Sequence, residues 1–230
     1  METTPMRIIA RIHSDFSSKF GIPRQSGLVD SLRATVVFEP EFRSPEAFRG
    51  IEGYSHLWLI WQFSECISEE GSWSPTVRPP RLGGNKRVGV FATRAPYRPN
   101  PIGLSSVKLE EVRLHTPDGP VLVVSGADLM DGTPIYDIKP YLAYVDSHPD
   151  ARDGFALAQK EGVLTVNCPD SLLACLPESK RQSLLDVLAQ DPRPQYQNDP
   201  DRIYQFEFAG AHVEFSVVGD LLTVRTITAG

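Results

Sequence analysis

Ser55-His56-Leu57-Trp58-Leu59-Ile60-Trp61-Gln62-Phe63 carries large apolar side chains on both parities of an extended chain. A strand over Tyr54–Phe63 would therefore be too continuously apolar to leave one face in water. Outward from it, Arg7–His13 alternates with β-branched residues, and Arg33–Phe38 does the same. Val88–Thr93, Ser105–Leu114 and Val121–Gly126 complete the set. Strands at roughly 10–15 residue spacing with turn residues between them predict a sheet sandwich or a barrel. Ser44 as N-cap, Pro45 at the first helical position and Glu46 in the first turn predict one short helix among them.

From Ala151 the pattern changes. Asp170–Leu176 and Glu178–Gln190 read as helices, the second with Leu184, Leu185 and Leu188 on one face. Asp191-Pro192-Arg193-Pro194 ends it, because proline cannot continue a helix. Strands Ile203–Phe208, His212–Val218 and Leu221–Ile227 follow, the last two joined by the two-residue turn Gly219-Asp220. The chain is thus read as mainly β: a β-rich, barrel-like domain over residues 1–150 and a small α+β domain over 151–230.

The composition, 41% hydrophobic and 23% charged over 230 residues, is that of a soluble globular protein. No apolar run approaches the roughly 20 residues that cross a bilayer, and no apolar core follows the N-terminus as a secretory signal requires. Cys66, Cys168 and Cys175 are odd in number and lack metal-ligand spacing, which points to a reducing cytoplasm and to no metal site. The five histidines show no ligand pattern either.

Charge is distributed unevenly. Residues 71–109 hold seven basic side chains and no acid, whereas the rest of the chain carries 16 basic against 29 acidic. The strip includes Arg78-Pro-Pro-Arg81, Lys86-Arg87 and Arg94-Ala-Pro-Tyr97-Arg98-Pro-Asn100-Pro. Proline-stiffened arginines concentrate positive potential and present planar forks that suit phosphate or carboxylate, so the strip predicts an anionic ligand. Tyr97 offers a face for a nucleobase, and Asn100 between two prolines offers a fixed amide. Phe20-Gly-Ile-Pro23-Arg24-Gln25 is a second stiff loop with an arginine and an amide. Asp128-Leu129-Met130-Asp131 sets two carboxylates three residues apart, a pattern shared by binding sites and simple turns. GxGxxG, GxxxxGK[ST], GxSxG and HExxH are all missing.

These segments together resemble the TrmO family, also known as YaeB, TsaA or VirR-like proteins. The resemblance rests on Pro23-Arg24-Gln25, Gly53-Tyr-Ser-His56-Leu-Trp58, and Thr76-Val-Arg-Pro-Pro-Arg-Leu-Gly-Gly-Asn85. It continues through Gly89-Val-Phe-Ala-Thr-Arg94, Arg98-Pro-Asn-Pro-Ile-Gly103 and Asp131-Gly-Thr-Pro134, then Asp137-Ile-Lys-Pro-Tyr141 and Asp191-Pro-Arg-Pro194 with Tyr196. It implies a non-Rossmann β-barrel methyltransferase with a small C-terminal domain, assembled as a homodimer. The implied reaction moves a methyl group from S-adenosylmethionine to N6 of N6-threonylcarbamoyladenosine beside the anticodon of threonine-type tRNAs. The implied cofactor residues are Pro23, Arg24, Gln25, Ser64, Glu65, Arg94, Leu104, Asp128, Leu129, Met130 and Asp131. Ser64 and Glu65 stand where many relatives have a histidine followed by Lys, Arg or Gln.

For the modified base, Arg78, Arg81, Tyr97, Arg98 and Asn100 are the candidate contacts, the arginines facing the threonyl carboxylate. Tyr136, Asp137 and His56 are the candidate proton acceptors, with no basis in sequence for choosing between them. Two other readings suit the same strip: a non-catalytic RNA-binding module, and an S-adenosylmethionine enzyme acting on a small acidic metabolite.

Overall fold

The computed structural model describes residues 4–67, 73–79, 82, 85–155, 163–193 and 199–230. Six strands close an antiparallel barrel: β1 (Ala10–His13), β2 (Arg33–Phe38), β3 (His56–Gln62), β6 (Ile102–Arg113), β7 (Val121–Ser125) and β8 (Pro134–Pro140). Their order around the barrel is β1-β2-β7-β6-β3-β8, with β8 returning to β1. Closure leaves no sheet edge exposed.

The double apolarity of β3 has a simple origin. Leu57, Leu59 and Trp61 point into the barrel and are buried, while His56, Trp58, Ile60 and Gln62 are half-buried outside. Trp58 is covered by Tyr141, ring centroids 5.4 Å apart, and by α1 (Ala143–Asp146). Its indole N–H donates to Asp146 at 3.0 Å. The backbone amide of Leu142 and that indole hold the Asp146 carboxyl below its usual range.

Two expectations shift. Val88–Thr93 is not a barrel strand: β5 (Val88–Gly89) pairs only with β4 (Thr76–Val77), and Val90–Ala92 forms a 3-10 turn closed by Thr93 N–H on Val90 C=O. The sixth barrel strand is instead β8, which begins and ends on proline. Terminal prolines are tolerated there because a ladder can end without their missing donor. The helix expected at Ser44 is a single 3-10 turn, Pro45–Phe48, with no bond from the Ser44 side chain. Phe48 anchors it, packed edge-on against Phe38 at 4.7 Å.

The C-terminal residues build a second core. Strands β10 (Tyr204–Phe208), β11 (Ala211–Val218), β12 (Leu221–Ala229) and β9 (Thr165–Asn167) form one sheet in that order, β9 joining parallel. α2 (Asp170–Leu173) and α3 (Glu178–Ala189) accompany it, and Leu184, Val187 and Leu188 of α3 are buried with the sheet's inner residues. Leu185, expected on that face, is only partly buried.

Residues 14–32, between β1 and β2, join this second core although a division at residue 150 assigns them to the barrel. Phe16, Val29 and Leu32 are buried in it, Phe16 edge-on to Phe208 at 5.5 Å. Lys180 Nζ meets Asp15 at 2.7 Å, and Ser183 Oγ donates to Ser31 C=O at 2.8 Å. Gly21 sits at φ +92°, where a Cβ would fall 2.5 Å from Phe206 Cδ2. Phe206 is buried and cannot retreat. Gly21→Ala should therefore cost about 1–3 kcal/mol from backbone strain alone, read as a lowered midpoint in denaturant unfolding. A midpoint equal to wild type would show that this loop is not locked against the second core.

Candidate functional site

Three connections meet at one end of the barrel: residues 14–32, residues 63–101 and the β7–β8 turn. Together with the ends of β3 and β6 they enclose a cavity of about 680 Å³, within the size range of small-molecule sites. The first connection supplies Lys19, Ile22, Pro23, Arg24 and Gln25. Arg24 donates to the carbonyls of Asp191 (3.2 Å) and Arg193 (3.0 Å), so its fork also ties the cavity wall to the C-terminal unit. The Gln25 amide nitrogen donates to Arg24 C=O, and its oxygen accepts from Arg94.

A gap in side-chain volume on β6 shapes the floor. Gly103 lies opposite Trp61, and a Cβ there would come 2.2 Å from the indole ring. The absent side chain lets the indole lie flat across the sheet, with Phe63 against its other neighbourhood at 4.3 Å between centroids. Trp61 Nε1–H donates to Ser105 Oγ (2.9 Å), and the Ser105 hydroxyl donates to Asp128 Oδ1 (2.5 Å). Burial raises the Asp128 carboxyl above its usual range; the Ser105 hydrogen bond and the Arg94 charge oppose but do not cancel it. At the rim Lys19 pairs with Glu65 at 3.0 Å. The hydrogen bond to Glu65 raises the Lys19 ammonium above its ordinary value.

Most of the expected cofactor residues are brought together. Pro23, Arg24, Gln25, Ser64, Glu65, Arg94, Leu104, Asp128 and Met130 all line the cavity. Leu129 does not: it is 1% exposed and belongs to the barrel core. Asp131 also faces elsewhere, accepting from the Ser14 amide at 3.0 Å and lying 3.2 Å from His13.

Of the residues expected to meet the base, Arg98 and Asn100 line the cavity. Arg98 also donates to Thr93 C=O (2.9 Å), stiffening its own loop. Tyr97 and Arg78 are exposed and do not line it, and Arg81 lies outside the described residues.

His56, Tyr136 and Asp137 stand apart from the cavity. His56 contacts Ser55 Oγ and lies near Tyr141, at the start of β3. Tyr136 is the extra residue of a bulge opposite Ile60 and Trp61, its hydroxyl pushed up by burial. Asp137 pairs with Lys139 at 2.9 Å and borders a different, smaller cleft with Ile9, Phe38 and Phe48. Alternation along the strands carried the signal for Trp61 and Ser105, both inward-facing. Nothing local in sequence marks Lys19 or Gly103 as wall residues. Among the described residues, no group of three or more His, Cys, Asp or Glu is placed to hold a metal.

The donor set suits an amino-acid-bearing nucleoside: a guanidinium for a carboxylate, a carboxylate for an ammonium or ribose hydroxyls, and Phe63, Ile102 and Leu104 as apolar wall. The raised Asp128 carboxyl also sets a sign for stability. A folded-state value above the unfolded one means the fold binds the proton more tightly, so stability falls as pH rises from the unfolded value through the folded one. Asp128→Asn should then melt higher than wild type at neutral pH, with the gap closing in acid below the ordinary carboxylate range. It should bind a carboxylate-seeking ligand more weakly at the same time. Thermal melts across pH check this; a variant less stable than wild type at neutral pH would contradict it.

Known proteins share this architecture. Residues 11–147 match the model for the tRNA-methyltransferase O N-terminal domain, and residues 166–230 match that for the TrmO C-terminal domain. The chain is 45% identical to a tRNA (adenine(37)-N6)-methyltransferase of Escherichia coli (strain K12), over 82% of this chain and 81% of that one. It is 42% identical to a putative S-adenosylmethionine-dependent methyltransferase, RcsF, of Pseudomonas aeruginosa, over 85% of each. A crystal structure of TrmO from Pseudomonas aeruginosa superposes with a TM-score of 0.78 at 33% identity, covering 99% of this chain and all of that one. Two family models that between them span the barrel and the second core, and relatives this similar along most of both chains, make the chain a member of the TrmO family.

Proposed function

We infer that the chain is a tRNA methyltransferase that moves a methyl group from S-adenosylmethionine to N6 of N6-threonylcarbamoyladenosine, at adenine 37 beside the anticodon. The observation that carries this reading is the cavity itself. Three guanidiniums (Arg24, Arg94 and Arg98), a half-buried carboxylate (Asp128) and an apolar wall share a single concave site, which opens beside a strip free of acids. Among the described residues the main sheets are a closed barrel and a mostly antiparallel sheet rather than a doubly wound parallel one, so the barrel end is the natural place for a nucleoside cofactor.

When bound, S-adenosylmethionine supplies an electrophilic methyl group on a cationic sulfur. The protein's work is then to position and to set the field, since such a displacement needs little covalent help. In this reading Arg94, steadied by Gln25, takes the cofactor's carboxylate. Asp128, oriented by Ser105 and through it by Trp61, takes the ammonium or the ribose hydroxyls. Ile102 and Leu104 cover the nucleoside's apolar faces and exclude water. Arg98 and Asn100, on the same wall, receive the threonylcarbamoyl group. As the new N–C bond forms, the S–C bond would break with its electron pair left on sulfur as a neutral thioether, and the acceptor nitrogen would pass its proton to a wall carboxylate or to solvent. His56, Tyr136 and Asp137 do not line the cavity, which leaves Asp128 and Glu65 as the carboxylates on its wall. Assembly as a homodimer, a cytoplasmic location, and a barrel unit to residue 150 followed by a small C-terminal unit are parts of the same proposal.

Purified protein incubated with labelled cofactor and tRNA, with and without the threonylcarbamoyl group, separates this reading from its rivals. Methyl incorporation into the modified tRNA alone is the expected result. Tight, steeply salt-dependent tRNA binding with no incorporation would favour an RNA-binding module. Methylation of a small acidic metabolite without tRNA would favour the other alternative. Arg94→Ala should weaken cofactor binding about tenfold to a hundredfold in calorimetry, the cost of losing a charged hydrogen bond. Unchanged affinity would remove Arg94 from the site.

A further inference from the structure

The strip's aromatic residues lie outside the cavity, and the reaction described above leaves them without a task. We propose that Trp73 and Phe91 form a stacking platform for unpaired bases of the tRNA anticodon loop, beside the cavity mouth. This rests on the tRNA reading above and adds the surface by which the loop is held.

Trp73 is 52% exposed and Phe91 74% exposed, yet their rings are paired, centroids 6.3 Å apart and inclined by only 34°. Two large rings offered to solvent as a tilted pair make a contiguous apolar patch, a surface that marks an interaction site. The backbone holds them there. Val90 N–H donates to Pro75 C=O across the β4–β5 ribbon, and the Val90 side chain is buried at 1% exposure. Anchoring Val90 inward turns Phe91 outward from the same 3-10 turn. That turn runs directly into Thr93 and Arg94, both on the cavity wall. A base stacked on Phe91 therefore lies within a few residues of the site where a neighbouring base would react.

Charge selects the occupant. Arg87, tied to Thr76 Oγ1 at 2.8 Å, and Lys86 and Arg78 sit on the same exposed ribbon, and no acid occurs between residues 71 and 109. A second copy of the chain docking here through a two-fold axis would set this cationic ribbon against itself. RNA brings a polyanionic backbone for the cations and a π-face on every base for the rings.

Tryptophan emission and tRNA binding test the proposal, with threonylcarbamoylated tRNA as probe and the full chain as protein. The double variant Trp73→Ala/Phe91→Ala should bind tRNA about tenfold or more weakly, from the lost stacking, while cofactor affinity and melting temperature stay at wild-type values. Trp73→Phe should keep most of the affinity and lose the tRNA-induced quenching, since it leaves a ring but removes the reporter. Unchanged tRNA affinity in the double variant would overturn the platform, and so would weakening accompanied by lost cofactor binding. A drop in sedimentation mass at unchanged tRNA affinity would also overturn it, in favour of contact between copies. Methyl transfer is scored separately: wild type that binds through these rings yet transfers no methyl would sink the activity and leave the platform standing.

Discussion

The cavity depends on one act of packing at a distance, the burial of residues 14–32 in the core of the C-terminal unit. Phe16 lies against Phe208, Phe20 against Phe206, and Gly21 leaves the space Phe206 fills. Burying a phenylalanine is worth roughly 1.5–3 kcal/mol, and two of them together outweigh any single polar contact on the loop. The barrel side is fastened by backbone bonds, Gly27 N–H to Gly126 C=O and Gly126 N–H to Leu32 C=O, and by side chains, Ser14 Oγ to Leu129 C=O and Arg94 to Gln25. Held from both sides, the loop presents Pro23, Arg24 and Gln25 to the cavity without a regular element beneath them. The C-terminal unit thus contributes to the site although its strands supply no wall residue.

At the opposite wall the same logic runs through polar groups. Asp128 is a carboxylate kept in a place that penalises its charge, and the fold compensates in part with the Ser105 hydroxyl, the backbone amides of Asp128 and Ser26, and the Arg94 guanidinium. Ser105 can aim its hydroxyl at Asp128 because Trp61 already occupies the serine's acceptor side. Trp61 can do so because Gly103 lets its ring lie flat. A chain of contacts from a missing side chain to a carboxylate is a site arranged for a ligand's cation or hydroxyls, since nothing in the fold itself needs that charge. Stability given up at a ligand-binding group is an ordinary exchange in functional sites.

How far this was legible in sequence follows from which signals are local. The strands of the barrel were readable because inside–outside alternation is a property of neighbouring residues; Arg33–Phe38 came out with its full extent. Pro134–Pro140 is assigned no strand from sequence, because Asp131-Gly-Thr-Pro134 dominates its start and proline marks both of its ends. Val88–Thr93 was read as strand because its residues favour one, whereas burial of Val90 bends the chain into a turn. The cavity residues were legible through family resemblance, which preserves motif positions without revealing orientation. Hence Asp128 and Leu129 were grouped together, although successive residues there face cavity and core. His56, Tyr136 and Asp137 have suitable chemistry, but chemistry carries no information about which end of a barrel a side chain reaches.

The charge pattern acquires a spatial meaning once the fold is known. At physiological salt, fields decay over about 8 Å, so a net charge of −6 on the whole chain says little about one rim of a barrel. What matters is that Thr93, Arg94, Pro96, Arg98 and Asn100, all inside the acid-free stretch 71–109, are wall residues of the cavity. Glu65, just before that strip, is met by Lys19 from the first connection, which balances its charge at the rim. Elsewhere on the barrel unit, pairs such as Arg11–Glu39 and Lys139–Asp137 balance acids locally. An acidic body with an acid-free stretch beside the cavity disfavours a polyanion elsewhere more than it does there. The net charge that argues against general RNA affinity therefore favours docking in one orientation.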